Sequence, residues 1–202
     1  LTTLRCLLIY TCWTLLFSVR ASTAAEPKFE TMLAVDLSQS APGRQGKALA
    51  IEQRNVFVSA GDVWSTNPAV LHWQLQPNGA WQLMEFLSRS GATGAYGDTL
   101  STSDLGWLAV GDPGTGNVSG EVHMFRRGGD NQYSWHSTLQ SPTPRIDGQF
   151  GYVVQLVGDT LYVGAPFEKS PEQPPYSYRG GVHVFELNGT DEWSFVATLR
   201  SP

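Results

Sequence analysis

The feature that most constrains this chain is an internal repeat of roughly 50 residues, which occurs three times. The copies begin at Gly46, at Tyr96-Gly97 and at Phe150-Gly151. Each copy contains four short runs rich in β-branched and aromatic residues, a pattern typical of four β-strands. Because one such unit cannot bury both faces of its sheet, units of this kind stack around an axis. The sequence therefore predicts an all-β fold: a β-propeller of four-stranded antiparallel blades, with about three blades present in an incomplete ring.

Equivalent residues recur at fixed places within the repeat. The fourth run begins with Trp81, Tyr133 and Trp193. It holds a leucine six residues later in every copy, namely Leu87, Leu139 and Leu199. The third run contains one histidine in each copy, expected at the same place in all three blades: His72, His123 and His183. Equivalent positions are related by rotation and need not converge, so packing is favoured over metal binding for these histidines.

The first 25 residues have the pattern of a secretory signal peptide. Arg5 precedes a 14-residue apolar run at 6–19, and small residues follow at 21–25. The alternative is a membrane anchor, but a spanning helix needs about 20 apolar residues. We therefore expect a signal peptide at 1–25. The mature protein is then secreted, or held at the cell surface if a segment outside this chain anchors it.

Cysteine usage and charge narrow the possible partners. Both cysteines, Cys6 and Cys12, lie in the leader, so a disulfide, a zinc–thiolate site and a thiol nucleophile are not expected in the mature part. The chain has 13 basic and 18 acidic residues, and two of the basic ones belong to the leader, which leaves 11 against 18. This negative balance disfavours nucleic acid and anionic membranes as partners.

The repeat resembles the FG-GAP repeat, the propeller unit of integrin α-subunits and of many secreted proteins. The third copy matches literally, with Phe150-Gly151 and Gly164-Ala165-Pro166, and the second keeps Tyr96-Gly97. The aromatic residue is expected to wedge between blades and its glycine to allow close backbone approach, while proline ends the strand. The expected repeats are 46–89, 96–142 and 150–202, preceded by a lead-in strand within 26–45.

The resemblance also implies a longer protein. Propellers of this family usually have seven blades, and three copies are too few to close a ring. We therefore expect the chain to be a fragment, in which residues 28–37 supply an outer strand to the last blade on ring closure.

Gly158-Asp159 separates two apolar runs and predicts a two-residue hairpin turn. In integrin-type repeats the matching loop sometimes holds calcium, which needs six to eight oxygen ligands. Each matching loop here contains at most one carboxylate, so calcium is disfavoured in these blades and no cofactor is expected.

Catalytic motifs are not evident in the sequence. The stretch 102–107 has the residues of a sialidase Asp-box, but Trp107 follows Gly106 directly, so the spacing fails. The sequence contains no GxSxG elbow, P-loop or HExxH motif, and no pair of acids stands out as general acid and base. We therefore expect a protein that is not an enzyme.

Binding is expected in the segments between the second and third runs, at 61–69, 112–120 and 167–179. In a propeller these loops share one face with the blade-to-blade linkers. The candidate ligand-binding residues are Trp64, Phe167, Lys169, Tyr176, Tyr178 and Arg179. Asn117 and Asn188 lie in N-x-S/T sequons and are glycosylation candidates, the alternative being that both are ordinary turn residues.

The expected function is that of a secreted, non-catalytic binding or adhesion module, which presents rigidly held loops to an extracellular protein or glycan. The alternative is an accessory or incomplete propeller of an extracellular hydrolase. A third hypothesis is an adhesion protein whose membrane anchor lies outside this chain.

Overall fold

The computed structural model describes residues 45–61, 68–114, 118–169 and 180–201, and these form strands, turns and loops without a helix. Blade 1 consists of β1 (Gln45–Glu52), β2 (Asn55–Ala60), β3 (Ala69–Leu75) and β4 (Trp81–Ser88). Blade 2 consists of β5 (Thr99–Ser103), β6 (Trp107–Asp112), β7 (Glu121–Arg127) and β8 (Tyr133–Leu139). Blade 3 consists of β9 (Val153–Val157), β10 (Thr160–Ala165), β11 (Gly181–Leu187) and β12 (Trp193–Leu199).

Each blade is an antiparallel sheet whose strands pair in chain order. Successive blades meet through their first strands, since β1 lies beside β5 and β5 beside β9. The first strand is therefore innermost and the fourth outermost, as in a propeller. This confirms the predicted fold class: the described residues form three four-stranded propeller blades. None of the described residues belongs to a helix long and apolar enough to cross a membrane.

We call the face of a blade that is directed towards the start of the chain its backward face, and the face directed towards the end of the chain its forward face; blade 2 contacts blade 1 through the former and blade 3 through the latter. We call the contact between adjacent blades a seam. The seam of blades 1 and 2 buries Ala50, Phe57, Val70, Leu87, Tyr96, Leu100, Leu108, Val110, Phe125 and Tyr133. The seam of blades 2 and 3 buries Trp107, Ala109, Val122, Met124, Leu139, Phe150, Val154, Leu156, Leu161, Val163, Ala165 and Phe185. The core of this fold thus lies between sheets.

The aromatic–glycine pairs lie at the seams, as predicted. Tyr96 is buried against blade 1 and its hydroxyl donates to the Leu87 carbonyl at 3.3 Å. Gly151 has a φ of +91°, and a Cβ added there would lie 2.5 Å from the carbonyl oxygen of Glu121 in blade 2. Glycine is required because both the backbone conformation and the neighbouring blade exclude a side chain.

The predicted turn is also confirmed. Val157 and Thr160 pair at the ends of β9 and β10, which leaves Gly158-Asp159 as a two-residue loop with Gly158 at a φ of +59°. The strand β10 ends at Ala165, directly before Pro166, as the Gly-Ala-Pro motif predicted.

The expectation that the three histidines are equivalent is wrong for His72. Val122 and Val182 pair with the leucines that end the fourth strands, and His123 and His183 each follow directly. In blade 1 the corresponding valine is Val70, and His72 lies two residues after it. Because side chains alternate along a strand, His72 points to the forward face and the other two point to the backward face.

His72 instead belongs to a polar network of the first seam. Its ring stacks on Phe57 with centroids 4.7 Å apart, and Nε2 lies 3.0 Å from Asn55 Oδ1. Nδ1 lies 3.0 Å from Glu85, whose carboxylate accepts a hydrogen bond from the Tyr133 backbone of blade 2. All three histidines are buried, so each one packs as predicted.

Replacing the seam glycine tests this description. Gly151→Ala is expected to lower the free energy of unfolding by about 2–4 kcal/mol. Alanine is strained in the left-handed backbone conformation, and its Cβ would clash with the backbone of Glu121. Gly189→Ala is the control, because a Cβ there meets nothing within 4 Å and φ is ordinary. Urea denaturation of both variants measures the difference, and equal stability of the two would contradict the seam assignment.

Candidate functional site

One face of the blades carries the loops between second and third strands together with the blade-to-blade linkers. The Phe150 amide, at the end of a linker, donates to the Ser119 carbonyl in the β6–β7 loop at 2.9 Å. The Asp147 amide of the same linker donates to the Val118 carbonyl at 3.3 Å. The predicted sharing of one face is therefore confirmed for the β6–β7 loop and the linker that follows blade 2. We call this surface the loop face.

A cavity of about 420 Å³ opens on the loop face at blade 2. Its lining combines the linker before blade 2, the β6–β7 loop and the linker after blade 2. The polar lining side chains are Thr93, Asp112, Ser119, Glu121 and Arg145. Val118 and Ile146 add exposed apolar surface at the rim. This size is in the range of small-molecule sites, about 300–1,000 Å³.

Asp112, at the end of β6, ties the linker to the blade. Its carboxylate accepts hydrogen bonds from the Thr93 amide at 2.8 Å, from the Thr93 hydroxyl and from the Gly114 amide at 3.3 Å. Burial by itself would raise the pKa of Asp112, but the neighbouring His123 and the Thr93 hydrogen bonds outweigh burial and hold the pKa below its usual range. Asp112 is therefore an ionised, well-satisfied anchor.

His123, on β7, lies behind the cavity wall. Its Nδ1 is 3.0 Å from the Thr138 hydroxyl, while Nε2 is buried and has no hydrogen-bond partner in the described part of the chain. Nε2 lies 3.8 Å from Asp112 Oδ2 and 3.8 Å from Glu121 Oε2, and both acids line the cavity. These distances are too long for direct hydrogen bonds.

In blade 3 the corresponding histidine, His183, makes a direct contact with a carboxylate of the protein. His183 Nε2 lies 2.7 Å from the buried carboxylate of Glu168. The hydroxyls of Ser141 and Thr143, in the linker after blade 2, donate to Glu168 at 2.5 and 2.9 Å, and Arg200 lies 3.3 Å away. Burial favours a raised pKa for Glu168, but the hydrogen bonds from His183 and Ser141 prevail and lower it.

Both blades thus place a buried carboxylate between a histidine of the third strand and the linker that precedes the blade. In blade 3 the histidine contacts its carboxylate directly, whereas in blade 2 it does not, and the cavity opens beside the blade 2 carboxylates. Within the described ranges no group of three or more His, Cys, Asp or Glu side chains is arranged to hold a metal ion. The blade 2 cavity offers carboxylates, a guanidinium and a hydroxyl, which are groups that bind polar ligands.

The structure describes only some of the predicted binding residues. Phe167 is exposed and Lys169 is half-buried, and both lie in the segment that follows β10. Asn188 is exposed in the β11–β12 turn, where its side-chain oxygen accepts from the amides of Thr190 and Glu192. Trp64, Tyr176, Tyr178, Arg179 and Asn117 lie outside the described residues.

Sequence reasoning missed the residues that build the loop face. Glu168 lies between the two candidates Phe167 and Lys169 and is almost completely buried. Asp112 and Glu168 lie inside the segments expected to bind but are not among the named candidates, and Thr93 lies outside those segments. A weak signal was present, because a carboxylate occurs near the end of the second strand in both blades whose third strand carries histidine directly after valine.

Comparison with known proteins adds a distant likeness in structure. No protein-family model and no curated protein matches the sequence. The structure is similar to the crystal structure of a protein from Lactobacillus plantarum, with 11% sequence identity and a TM-score of 0.42. The match covers 76% of this chain and 55% of that chain, so this chain spans about half the length of that protein. The fold assignment rests on the three sheets themselves.

The lowered pKa of Glu168 predicts a pH-dependent contribution to stability. A carboxyl group whose pKa is lower in the folded state stabilises the protein above its unfolded pKa of about 4.3, and this contribution is lost as pH falls through the folded pKa. Glu168→Gln is expected to cost about 2 kcal/mol at pH 7, and the difference from the wild type should shrink towards zero as the pH falls through the folded pKa of Glu168.

Denaturant unfolding of both proteins between pH 7 and pH 2.5 measures this difference. Glu186→Gln is the control, because Glu186 is exposed on the same strand as His183. A difference that stays constant with pH would show that the Glu168 carboxylate is not stabilised by its partners.

Proposed function

We propose that this protein is a secreted, non-catalytic binding or adhesion module of the FG-GAP type, which presents its loop face to an extracellular protein or glycan. The observation that carries the proposal is the cavity of about 420 Å³ formed where the β6–β7 loop meets two linkers. Loops held by a rigid scaffold are common positions for binding sites.

The roles of the repeat motifs support the FG-GAP assignment. Phe150-Gly151 lies at a seam, and Gly164-Ala165-Pro166 ends a second strand, which are the roles that the resemblance implies. Four-stranded blades in sequential order agree with this assignment.

The anchoring of the loop face supports rigid display. Asp112 binds one hydroxyl group of the linker that precedes its blade and Glu168 binds two, and both carboxylates are buried. A buried ionised group with several hydrogen bonds resists displacement, because breaking one bond leaves charge without a partner. Preorganised loops lose little conformational entropy when a ligand binds.

The cavity lining favours a ligand rich in hydroxyl groups, such as a glycan. A hydroxyl both donates and accepts, so it can donate to the Glu121 carboxylate and accept from the Arg145 guanidinium. The aliphatic side chains of Val118 and Ile146 can contact the C–H faces of a sugar ring. Glu121 already accepts a hydrogen bond from Gln140 at 2.8 Å, which orients it at the cavity wall.

A glycan array and a pull-down from extracellular extracts, both with the full chain, test the proposal. For a ligand found in either screen, Arg145→Ala and Glu121→Gln are each expected to weaken binding about tenfold through loss of a charge-assisted hydrogen bond. Asp159→Asn is the control, because Asp159 lies in the β9–β10 turn at the opposite end of the strands.

Binding that is unchanged in both cavity variants would place the ligand elsewhere. Turnover of a bound glycan by the full chain, abolished by Glu121→Gln, would contradict a non-catalytic module.

A further inference from the structure

The polar clusters of blades 2 and 3 differ in charge, although the third and fourth strands of the two blades pair in the same register. The residue after the leucine that ends the fourth strand is Arg200 in blade 3 and Gln140 in blade 2. The residue before the valine that pairs with this leucine is Gly181 in blade 3 and Glu121 in blade 2. Blade 2 therefore has one more carboxylate and one cation fewer at this place in the repeat.

Blade 3 neutralises its buried carboxylate with a cation of its own. The Arg200 guanidinium lies 3.3 Å from Glu168 Oε2. A Cβ added at Gly181 would lie 3.6 Å from the same oxygen and 3.7 Å from Arg200 Nε, so this position borders the ion pair directly. In blade 2 the matching position carries an acid, Glu121, which pairs across the strands with Asp112.

The two carboxylates of blade 2 face one point. Asp112 Oδ2 and Glu121 Oε2 each lie 3.8 Å from the same atom, His123 Nε2. Among the described residues, neither acid forms an ion pair with a lysine or an arginine. Gln140, in the position of Arg200, donates only a neutral hydrogen bond to Glu121 at 2.8 Å. Neighbouring carboxylates repel each other, and a cation close to both stabilises their ionised forms.

His123 provides an independent sign that this cluster accepts a further group. The residue is 2% exposed, and its Nε2 is buried without a hydrogen-bond partner in the part of the chain that the structure describes. Buried polar atoms are nearly always hydrogen-bonded, so an exception of this kind indicates a functional position. The equivalent atom of blade 3, His183 Nε2, is paired with Glu168 at 2.7 Å. The difference favours ligand binding at blade 2.

The chemistry of the cluster favours a cation that is carried by an organic ligand. Across the described ranges, no three His, Cys, Asp or Glu side chains are arranged around a metal position. A primary ammonium group has three N–H donors and can bridge two carboxylates. The chain carries 18 acidic and 13 basic residues, so its overall field attracts cationic ligands.

We propose that the blade 2 cavity binds a sugar unit with a free amino group, whose ammonium lies between Asp112 and Glu121; this rests on the proposed function of the loop face and narrows its ligand. Ser119 and Arg145 line the same cavity, and neither side chain bonds to the two acids within the described residues. Both can therefore bind the hydroxyl groups of a sugar ring. A lysine side chain has no hydroxyl groups and would leave Arg145 unused.

Isothermal titration calorimetry of the full chain with three matched trisaccharides tests the proposal. The β-1,4-linked trimers of glucosamine, N-acetylglucosamine and glucose differ only in the group at carbon 2, which is charged in the first alone. At about pH 6, where the free amine is protonated, the glucosamine trimer is expected to bind about tenfold more tightly than either neutral trimer.

Removing one carboxylate tests where the amine binds. Glu121→Gln is expected to lower the affinity for the glucosamine trimer by about tenfold and to leave the neutral trimers much less affected. Asp104→Asn is the control, because it removes a carboxylate from the exposed β5–β6 turn at the opposite end of blade 2. Unchanged unfolding curves confirm that both variants fold.

Supplying the missing cation tests the comparison with blade 3. Gln140→Arg should weaken binding of the glucosamine trimer by about tenfold, because the new guanidinium competes with the ligand's ammonium for the two carboxylates. Gln132→Arg is the control, since it adds the same charge in the exposed β7–β8 turn.

Equal binding of the glucosamine and N-acetylglucosamine trimers would overturn the choice of an amino sugar and leave the proposed glycan-binding function in place. Failure of all three trimers to bind would also overturn it, while a protein captured in the pull-down would still support the proposed function. Tighter binding of an end-blocked lysine peptide than of the glucosamine trimer, lost in Glu121→Gln, would assign the site to a protein ligand instead.

Discussion

The structure depends on one constraint: each four-stranded sheet has two apolar faces, and only an adjacent sheet can bury them. The core therefore lies at the seams, where Phe57, Trp107 and Phe150 are buried. Hydrophobic burial at a seam requires close approach of two backbones. This explains why Gly97 and Gly151, which lie at the seams, are glycines.

Polar groups complete the seams at the loop face. Asp112 and Glu168 are buried carboxylates, and each binds the linker that enters its own blade. Such groups add less to stability than the apolar core, because their desolvation offsets much of the electrostatic gain. Their effect is positional: the linkers and the β6–β7 loop are held in one arrangement. The cavity beside Asp112 is a consequence of that arrangement, so the seam and the proposed binding site are physically connected.

The two histidines on the backward faces lie in similar surroundings but differ in their contact with the neighbouring carboxylate. In blade 3 Glu168 reaches His183 and closes the site with protein atoms. In blade 2 the shorter side chain of Asp112, which is also bound to Thr93 and Gly114, stays 3.8 Å from His123. Glu168 is one methylene group longer than Asp112, and its loop follows a different path. The polar cluster of blade 3 is therefore closed by protein atoms, whereas that of blade 2 borders a cavity.

Repetition in the sequence was sufficient to predict the blades, the turn at Gly158-Asp159 and the place of the aromatic–glycine pairs. These features depend on local periodicity and on residues whose backbone preferences are strong, so they can be read along the chain. The register of His72 could not be predicted, because a shift of one residue relative to Val70 changes the face of the sheet without changing the composition. The loop face was predicted as a region, but Glu168, Thr93 and Arg145 were not.

The pattern of residues along the chain was enough to specify an all-β, repeated architecture with four strands per blade and glycine at each seam. Only the packing of one blade against another places Glu168 beside His183 and opens the cavity at Asp112. The physical reason is the distance along the chain over which each interaction acts. Strand periodicity and turn geometry act between near neighbours, whereas the pairs Ser141–Glu168 and Gly111–Gly151 are brought together only when one blade packs against another.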